Sequence, residues 1–254
     1  MTTNDVTKRF SNRVADYVKY RPSYPAPLLD FMVKELGLGE SSSVADVGSG
    51  TGIFTQLLLD RGVTVYAVEP NTEMRFAAEQ ALSKNQKFKS VAQSAEKTGL
   101  PTSSVDLVCA ATAFHWFNAA AVKTEWKRIL RPDGIAFLVW NVRREESPFL
   151  RDYEKMLHRF GTGYSEAKHR NTEDNSGMTI LFAPHSPRTI TYPNEQVLDF
   201  DSLVGRLLSS SYAPVEGHPN HESMMKELTT IFEKHQSDGK VRFEYDAKAY
   251  FGPL

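Results

Sequence analysis

The chain has 254 residues, 41% of them hydrophobic, enough for a sizeable core in one α/β domain. The 30 Lys and Arg nearly balance 31 Asp and Glu, leaving a formal charge of −1 and no global field to recruit nucleic acid or an anionic membrane. The single cysteine, Cys109, excludes an internal disulfide and suits a reducing compartment. Residues 1–5 carry no apolar signal stretch and no run reaches membrane-spanning length, so a cytoplasmic protein is expected.

Val6, Phe10, Val14, Tyr17 and Val18 mark one face of a helix over residues 5–20, stopped by Pro22 and Pro25. A second helix follows over 26–37, with Leu28, Leu29, Met32, Val33 and Leu36 inward. Strands and helices then alternate. Residues 44–47 and 64–68 read as strands around a helix at 53–61, and Asn71 caps a helix running to about Leu82. Residues 88–92 and 105–111 are the third and fourth strands. Asn118 caps a helix to Leu130, a turn spans 131–134, and 135–140 is the fifth strand. Beyond Asn141 the pattern loosens. Helices are expected at 148–160, 201–211 and 221–235, irregular chain at 161–180, and strands at 188–192 and 241–245 with continuation through Ala247 and Ala249. Such alternation predicts a parallel sheet with right-handed crossovers and a ligand at the carboxyl ends of its strands.

The densest signal is Asp46-Val47-Gly48-Ser49-Gly50-Thr51-Gly52, where an apolar strand meets a glycine-rich turn and a helix. Glycines there take positive φ and admit a ligand close to the backbone, and the free N–H groups at the helix start favour an anionic or polar group. The spacing departs from the dinucleotide fingerprint, because Ile53 holds its third glycine position. The turn has no Lys, so it is no P-loop. Glu69 ends the second strand roughly 20 residues on, where a carboxylate accepts hydrogen bonds from a ribose diol. Ser94-Ala95-Glu96 follows the third strand, where short polar groups can read an adenine edge. Ala113-Phe114-His115-Trp116-Phe117 ends the fourth; four large rings in succession are hard to bury together, and aromatic faces attract a sulfonium cation.

These pieces resemble the class I S-adenosylmethionine-dependent methyltransferases, in particular the small-molecule group that includes trans-aconitate methyltransferase-like proteins. The resemblance runs through Asp46–Gly52, Glu69, Ser94–Glu96, Gly99-Leu100-Pro101, residues 104–108, Ala113–Phe117 and residues 130–134. It also takes in Tyr17-x-x-x-Arg21-Pro22-x-Tyr24-Pro25, residues 209–214 and the last strand running into Tyr250-Phe251-Gly252. It implies an α/β fold: a doubly wound, Rossmann-like sheet, mostly parallel with an antiparallel last strand, plus a helical cap. Residues 1–254 would form one domain, with a cap at 1–40, a cofactor core at 41–141, a substrate-side insertion at 142–235 and the final strand at 236–254. It also implies S-adenosylmethionine as cofactor. Gly48 and Gly50 would lie against its methionine and ribose, Glu69 on the ribose hydroxyls, Ala95 and Glu96 beside adenine, Arg21 on the methionine carboxylate and Tyr17 over the cofactor. Asp46, Ser49, Pro70, Ser94 and Ala111 complete that set. Two positions depart from the group: Ser94 stands where an Asp is common, and Thr112 where Gln is common, which leaves the role of Thr112 open.

Methyl transfer from a sulfonium needs proximity and alignment above all. A carboxylate acceptor, ionised at neutral pH, needs no base; a phenol or amine would benefit from one, and His115 is the candidate. Tyr24, Trp116, Arg143, Arg206 and Tyr212, with Arg144, are the candidate acceptor contacts, because guanidinium grips carboxylate bidentately. An acidic small molecule is the favoured acceptor, with no nucleic-acid or membrane partner, no metal, and no indication of oligomeric state. The competing readings are an RNA or protein methyltransferase, disfavoured by the near-neutral charge, a cofactor-binding protein without catalysis, and a dinucleotide-dependent oxidoreductase, disfavoured by Ile53.

Overall fold

A computed structural model describes residues 14–165 and 176–254. Five strands, β1 (Ser43–Val47), β2 (Thr64–Val68), β3 (Phe88–Val91), β4 (Val105–Ala111) and β5 (Leu130–Arg143), pair in parallel. β6 (Arg188–Leu198) and β7 (Val241–Gly252) complete the sheet in the order β3-β2-β1-β4-β5-β7-β6, with β7 antiparallel to both its neighbours. The expected doubly wound sheet with a reversed last strand is therefore present.

Both faces of the central strands are covered, which is why they read as continuous apolar runs. Alternate residues point to opposite faces. Val44, Leu107, Cys109, Phe137 and Val139 face one core, with helices α2 (Ala26–Leu36), α3 (Ile53–Leu59) and α4 (Thr72–Leu82) over them. Ala45, Val47, Val108, Ala110, Ala136 and Leu138 face the other, under α5 (Ala119–Ile129) and α7 (Ser176–Phe182). A third cluster joins α6 (Pro148–Phe160), α8 (Phe200–Leu208) and α9 (His221–His235) to Val241, Phe243 and Tyr245 of β7. Asn71 caps α4 by accepting from Met74 N at 2.8 Å, and Asn118 caps α5 by accepting from Ala121 N at 3.1 Å, as their positions before the helices suggested.

Several boundaries differ from the sequence expectation. Residues 131–134 do not end the chain's pairing; they bulge out between Leu130, opposite Val105, and Ile135, opposite Leu107. β6 runs on past Tyr192 to Leu198 because β7 supplies a partner along its whole length, and Pro193 is tolerated on an edge strand. Residues 176–180, expected to be irregular, belong to α7, which seats Leu181 and Phe182 in the core with α5. The first expected helix is described only from Val14, as α1 (Val14–Tyr20); Val6 and Phe10 lie outside the described residues. Among the described residues no helix is long and apolar enough to cross a membrane.

The carboxyl ends of β1, β2, β4 and β5 open toward the amino-terminal cap. Three side chains strap that cap down. Gln196 Nε2 donates to Tyr20 O (3.0 Å), while Asn194 Nδ2 (2.7 Å) and Asn141 Nδ2 (3.1 Å) donate to Ser23 O. The Tyr20 ring lies on Gly205 of α8, so close that a Cβ there would sit 2.1 Å from it. Glycine inside a helix costs about 1 kcal/mol against alanine, and this contact accounts for its presence. Gly205→Ala should favour the helix yet push Tyr20 off α8. We expect faster tryptic cleavage after Lys19, with global urea stability within about 1 kcal/mol of the parent. Equal cleavage rates would show that Tyr20 does not hold the cap.

Candidate functional site

The turn after β1 is held by the end of β2: Gly48 N and Ser49 N both donate to Val68 O, at 2.8 and 3.2 Å. Its glycines serve different ends. Gly48 has φ +70, and a Cβ would meet Ala113 Cβ at 2.6 Å, so this glycine admits the chain after β4. Gly52 likewise makes room for Leu82 of α4. Gly50, at φ +57, has open space where a Cβ would stand. Of the three, it is Gly50 that leaves backbone open to a ligand.

Two carboxylates underlie this turn. Glu69 Oε2 accepts from Gly50 N at 2.9 Å and Oε1 accepts from Asn71 N at 2.8 Å. A carboxylate has about four acceptor sites, so two remain for the hydroxyls of a diol. Burial raises the Glu69 pKa, opposed by these amides and by Arg75. Asp46 is fully buried; its Oδ2 accepts from Thr55 Oγ1 at 2.6 Å, and Cys109 Sγ lies 3.7 Å from Oδ1. Burial pushes its pKa up to about 6, against the pull of Thr55 and Cys109. Asp46 thus braces the turn from beneath, with both oxygens already engaged.

Two connected clefts open above. The first is walled by Glu69, Pro70, Asn71, Met74, Ser94, Ala95, Glu96, Ala113, Trp116 and Phe117. The second is walled by Arg21, Pro22, Tyr24, Asp46, Ser49, Thr51, Phe54, Asn141 and Arg206. Tyr17, Gly48, Gly50, Ala111 and Thr112 belong to both. Cap, glycine turn and strand ends therefore converge on one continuous hollow. Within it the buried Ser49 and Thr51 hydroxyls and Arg21 Nε have no hydrogen-bond partner among the described residues. Arg21 lies over the Tyr17 ring (4.8 Å) and donates to Ser209 O at 2.8 Å. Burial, then the neighbouring Arg206 cation, lowers its pKa.

Arg206 is 6% exposed, and it bonds Tyr245 Oη from Nε and Ser210 Oγ from Nη1, each at 3.0 Å. No carboxylate among the described residues pairs with it. Burial disfavours its charge, but the phenols of Tyr245, Tyr212 and Tyr153 outweigh burial and raise its pKa.

Every residue expected to touch the cofactor lies in these walls: Tyr17, Arg21, Asp46, Gly48, Ser49, Gly50, Glu69, Pro70, Ser94, Ala95, Glu96 and Ala111. The acceptor candidates divide. Tyr24 and Arg206 line the second cleft, whereas Trp116 falls on the first. Arg143 is not available, because its guanidinium is buried and donates to Glu154 and Tyr164. Arg144 pairs with Asp246 at 2.6 Å. Tyr212 packs edge-on against Tyr164 (4.9 Å) and lines neither cleft. His115 also lines neither: the short turn Phe114–Trp116 sets its Nδ1 3.5 Å from Trp140 Nε1. Asn141 is not among the expected contacts, and Thr112 is singled out without a role. Both immediately follow or end a predicted strand, and the rule that ligands sit at carboxyl ends of strands could have found them.

With this geometry in view, residues 45–138 match the methyltransferase domain family. An uncharacterized methyltransferase of Mycobacterium tuberculosis is 35% identical over 157 residues, 62% of this chain and 62% of that protein. The chain thus matches less than two thirds of that relative's length. An uncharacterized methyltransferase of Schizosaccharomyces pombe is 26% identical over 249 residues, 96% of each chain. The structure of a candidate type II methyltransferase from Anaeromyxobacter dehalogenans superposes with a TM-score of 0.67 at 20% identity, covering 92% of this chain and 97% of that one, a likeness of fold. Residues 45–138 thus match a methyltransferase domain, and the chain shares the fold of that solved methyltransferase structure. The narrower trans-aconitate-like assignment has no support in these names.

The buried Asp46 carboxylate gives a test of the site's cost. Its folded pKa is raised, so the stability it contributes is full below the ordinary value near 3.8 and is lost as pH rises through about 6. Asp46→Asn keeps an acceptor for Thr55 without the charge. Relative to the parent it should gain up to about 3 kcal/mol in urea unfolding between pH 4 and pH 8. Parallel stability curves would mean that Asp46 titrates in the fold as it does in the unfolded chain.

Proposed function

We propose that this protein transfers a methyl group from S-adenosylmethionine to a small acidic acceptor, with residues 1–254 acting as one unit and 142–235 supplying the acceptor side. The observation that carries the acceptor class is Arg206, a buried guanidinium in the cleft wall that meets hydroxyls but, among the described residues, no carboxylate. An unpaired buried cation is costly, and an acceptor carboxylate would complete it. The cofactor fits the remaining groups. Arg21 would hold a methionine carboxylate through its unpartnered Nε, Glu69 the ribose diol, and the open backbone at Gly50 the chain between them. Bound there, S-adenosylmethionine supplies an electrophilic methyl group, which passes to an acceptor oxygen while the carbon–sulfur electron pair stays on a neutral sulfide.

The chain's own contribution is placement. Arg206 holds the acceptor's charge, and the cap residues Tyr17, Arg21 and Tyr24 close the hollow against water. A carboxylate acceptor arrives ionised, so no base is required, in keeping with His115 standing outside the cleft walls. The near-zero net charge supports a small-molecule acceptor over nucleic acid. The lone, buried Cys109 supports a cytoplasmic setting.

Calorimetric titration with S-adenosylhomocysteine and NAD, followed by methyl transfer to a panel of mono-, di- and tricarboxylates with amine and phenol controls, tests this reading. S-adenosylhomocysteine should bind and NAD should not, and Glu69→Ala should weaken the former about tenfold or more. Arg206→Gln should raise KM for the carboxylate about tenfold while leaving the S-adenosylhomocysteine Kd within about threefold, with Arg206→Lys intermediate. Preferred methylation of an amine or phenol, or an unchanged KM in both Arg206 variants, would overturn the acidic-acceptor assignment.

A further inference from the structure

Thr112 follows the last residue of β4, pinned by its N–H to Val139 O at 2.7 Å. Its φ is +55. For a β-branched residue that is a disfavoured backbone conformation, one glycine would adopt freely. The other described non-glycine residues with positive φ, Ser103 and Asp238, lie in turns between elements. Thr112 instead stands where the two clefts meet and lines both. Strain held at such a place points to a use for the side chain.

The side chain has a defined partner. Thr112 Oγ1 lies 2.9 Å from Tyr24 Oη, and Tyr24 itself lines the second cleft with its ring edge-on to Phe54 at 5.1 Å. Two hydroxyls carry two hydrogens, and their mutual bond uses one, so one donor is left over. We propose that the Thr112–Tyr24 hydroxyl pair seats the acceptor's attacking oxygen at the junction of the clefts, which makes Thr112 a positioning and specificity residue for methyl transfer. The proposal rests on the reading of the protein as a methyltransferase with a carboxylate acceptor.

The pair divides the work with Arg206, which lines the same cleft. The guanidinium answers the acceptor's charge; the hydroxyl pair holds one lone pair of the attacking oxygen and leaves another directed toward the methyl carbon. Burial raises the Tyr24 pKa, so its phenol stays protonated and donates rather than accepting a proton. The new oxygen–carbon bond forms as the carbon–sulfur bond breaks, the electron pair remains on sulfur, and no proton moves. Glycine at position 112 would relieve the backbone but supply no hydroxyl, and the chain keeps the strained threonine.

The test uses Thr112→Ala, Thr112→Ser and Tyr24→Phe. The probes are S-adenosylhomocysteine and the carboxylate of highest turnover in the panel above. The alanine and phenylalanine variants should lose about tenfold or more in kcat and bind the carboxylate about threefold more weakly on the S-adenosylhomocysteine complex, with the S-adenosylhomocysteine Kd itself within about threefold of the parent. Thr112→Ser, which restores the hydroxyl, should stay within about threefold of the parent in every constant. Unchanged kcat in Thr112→Ala, a loss of S-adenosylhomocysteine affinity that matches the loss of kcat, or a Thr112→Ser variant as poor as alanine would each overturn the proposal. Those outcomes leave the acidic-acceptor reading intact if the parent methylates carboxylates. A parent that binds S-adenosylhomocysteine and methylates none of them overturns both.

Discussion

The whole hollow hangs on one buried carboxylate. Glu69, at the end of β2, accepts from the amide of Gly50 in the glycine turn and from the amide of Asn71 at the start of α4. It therefore joins the β1–α3 corner to the β2–α4 corner, the two corners between which the first cleft opens. Asn71 passes the constraint on by capping α4 with its side chain. Arg75, one turn along α4, returns to the backbone carbonyl of Glu69 at 2.9 Å. The two backbone N–H groups and Arg75 oppose the rise in pKa that burial imposes on this carboxyl group. Glu69 also lines the first cleft, so the same side chain that joins the corners forms part of its wall.

The site spends stability elsewhere too. Asp46 is a carboxyl group with no exposure and a pKa pushed up to about 6, between Ala45 and Val47 in its strand and beside Ala67 and Cys109 of the adjacent strands. Thr112 is a β-branched residue at φ +55. Arg21 and Arg206 are two neighbouring cations without a carboxylate partner among the described residues. None of these is what packing alone would select, since each pits a local preference against its surroundings. All four line the same hollow. Ion pairs with no such bearing, such as Arg61 with Asp30 or Arg242 with Glu195, lie partly exposed where water screens them.

Much of the fold was legible because its signals are local. The alternation of apolar runs with capped helices marked β1 to β4 and α4 to α6, and the spacing of Gly48, Gly50 and Gly52 marked the corner. What stayed hidden depends on partners distant in sequence. β6 reads as a short strand ending at Tyr192 because Asn194, Glu195 and Gln196 are poor strand formers by themselves; pairing with Glu244 and Tyr245 of β7 extends it. Arg143 and Arg206 look alike in sequence, yet Glu154 and Tyr164 neutralise the first and leave the second to the cleft. His115 sits in the expected aromatic run, but the tight turn at Phe114–Trp116 carries it toward Trp140 and leaves Trp116 and Phe117 on the cleft side. Thr112 gives no sequence sign of its backbone conformation at all.

The order in which chain segments reach the site bears on how it works. Apart from Tyr17 of the cap, the walls of the first cleft come from residues 48–117, a stretch of mostly local β–α connections. The second cleft needs Arg21 and Tyr24 from the cap, Asn141 from the end of β5 and Arg206 from α8, brought together over separations of up to 185 positions. The joints between these parts are few: Tyr20 on Gly205, Arg21 on the Ser209 carbonyl, Gln196 and Asn194 on the cap backbone. Arg21 and Arg206 line the same cleft, and Arg206 depresses the pKa of Arg21. An anion beside either guanidinium would ease the charge at the other. The cap and α8 are thus joined at this cleft by a pair of like charges as well as by the Tyr20–Gly205 contact.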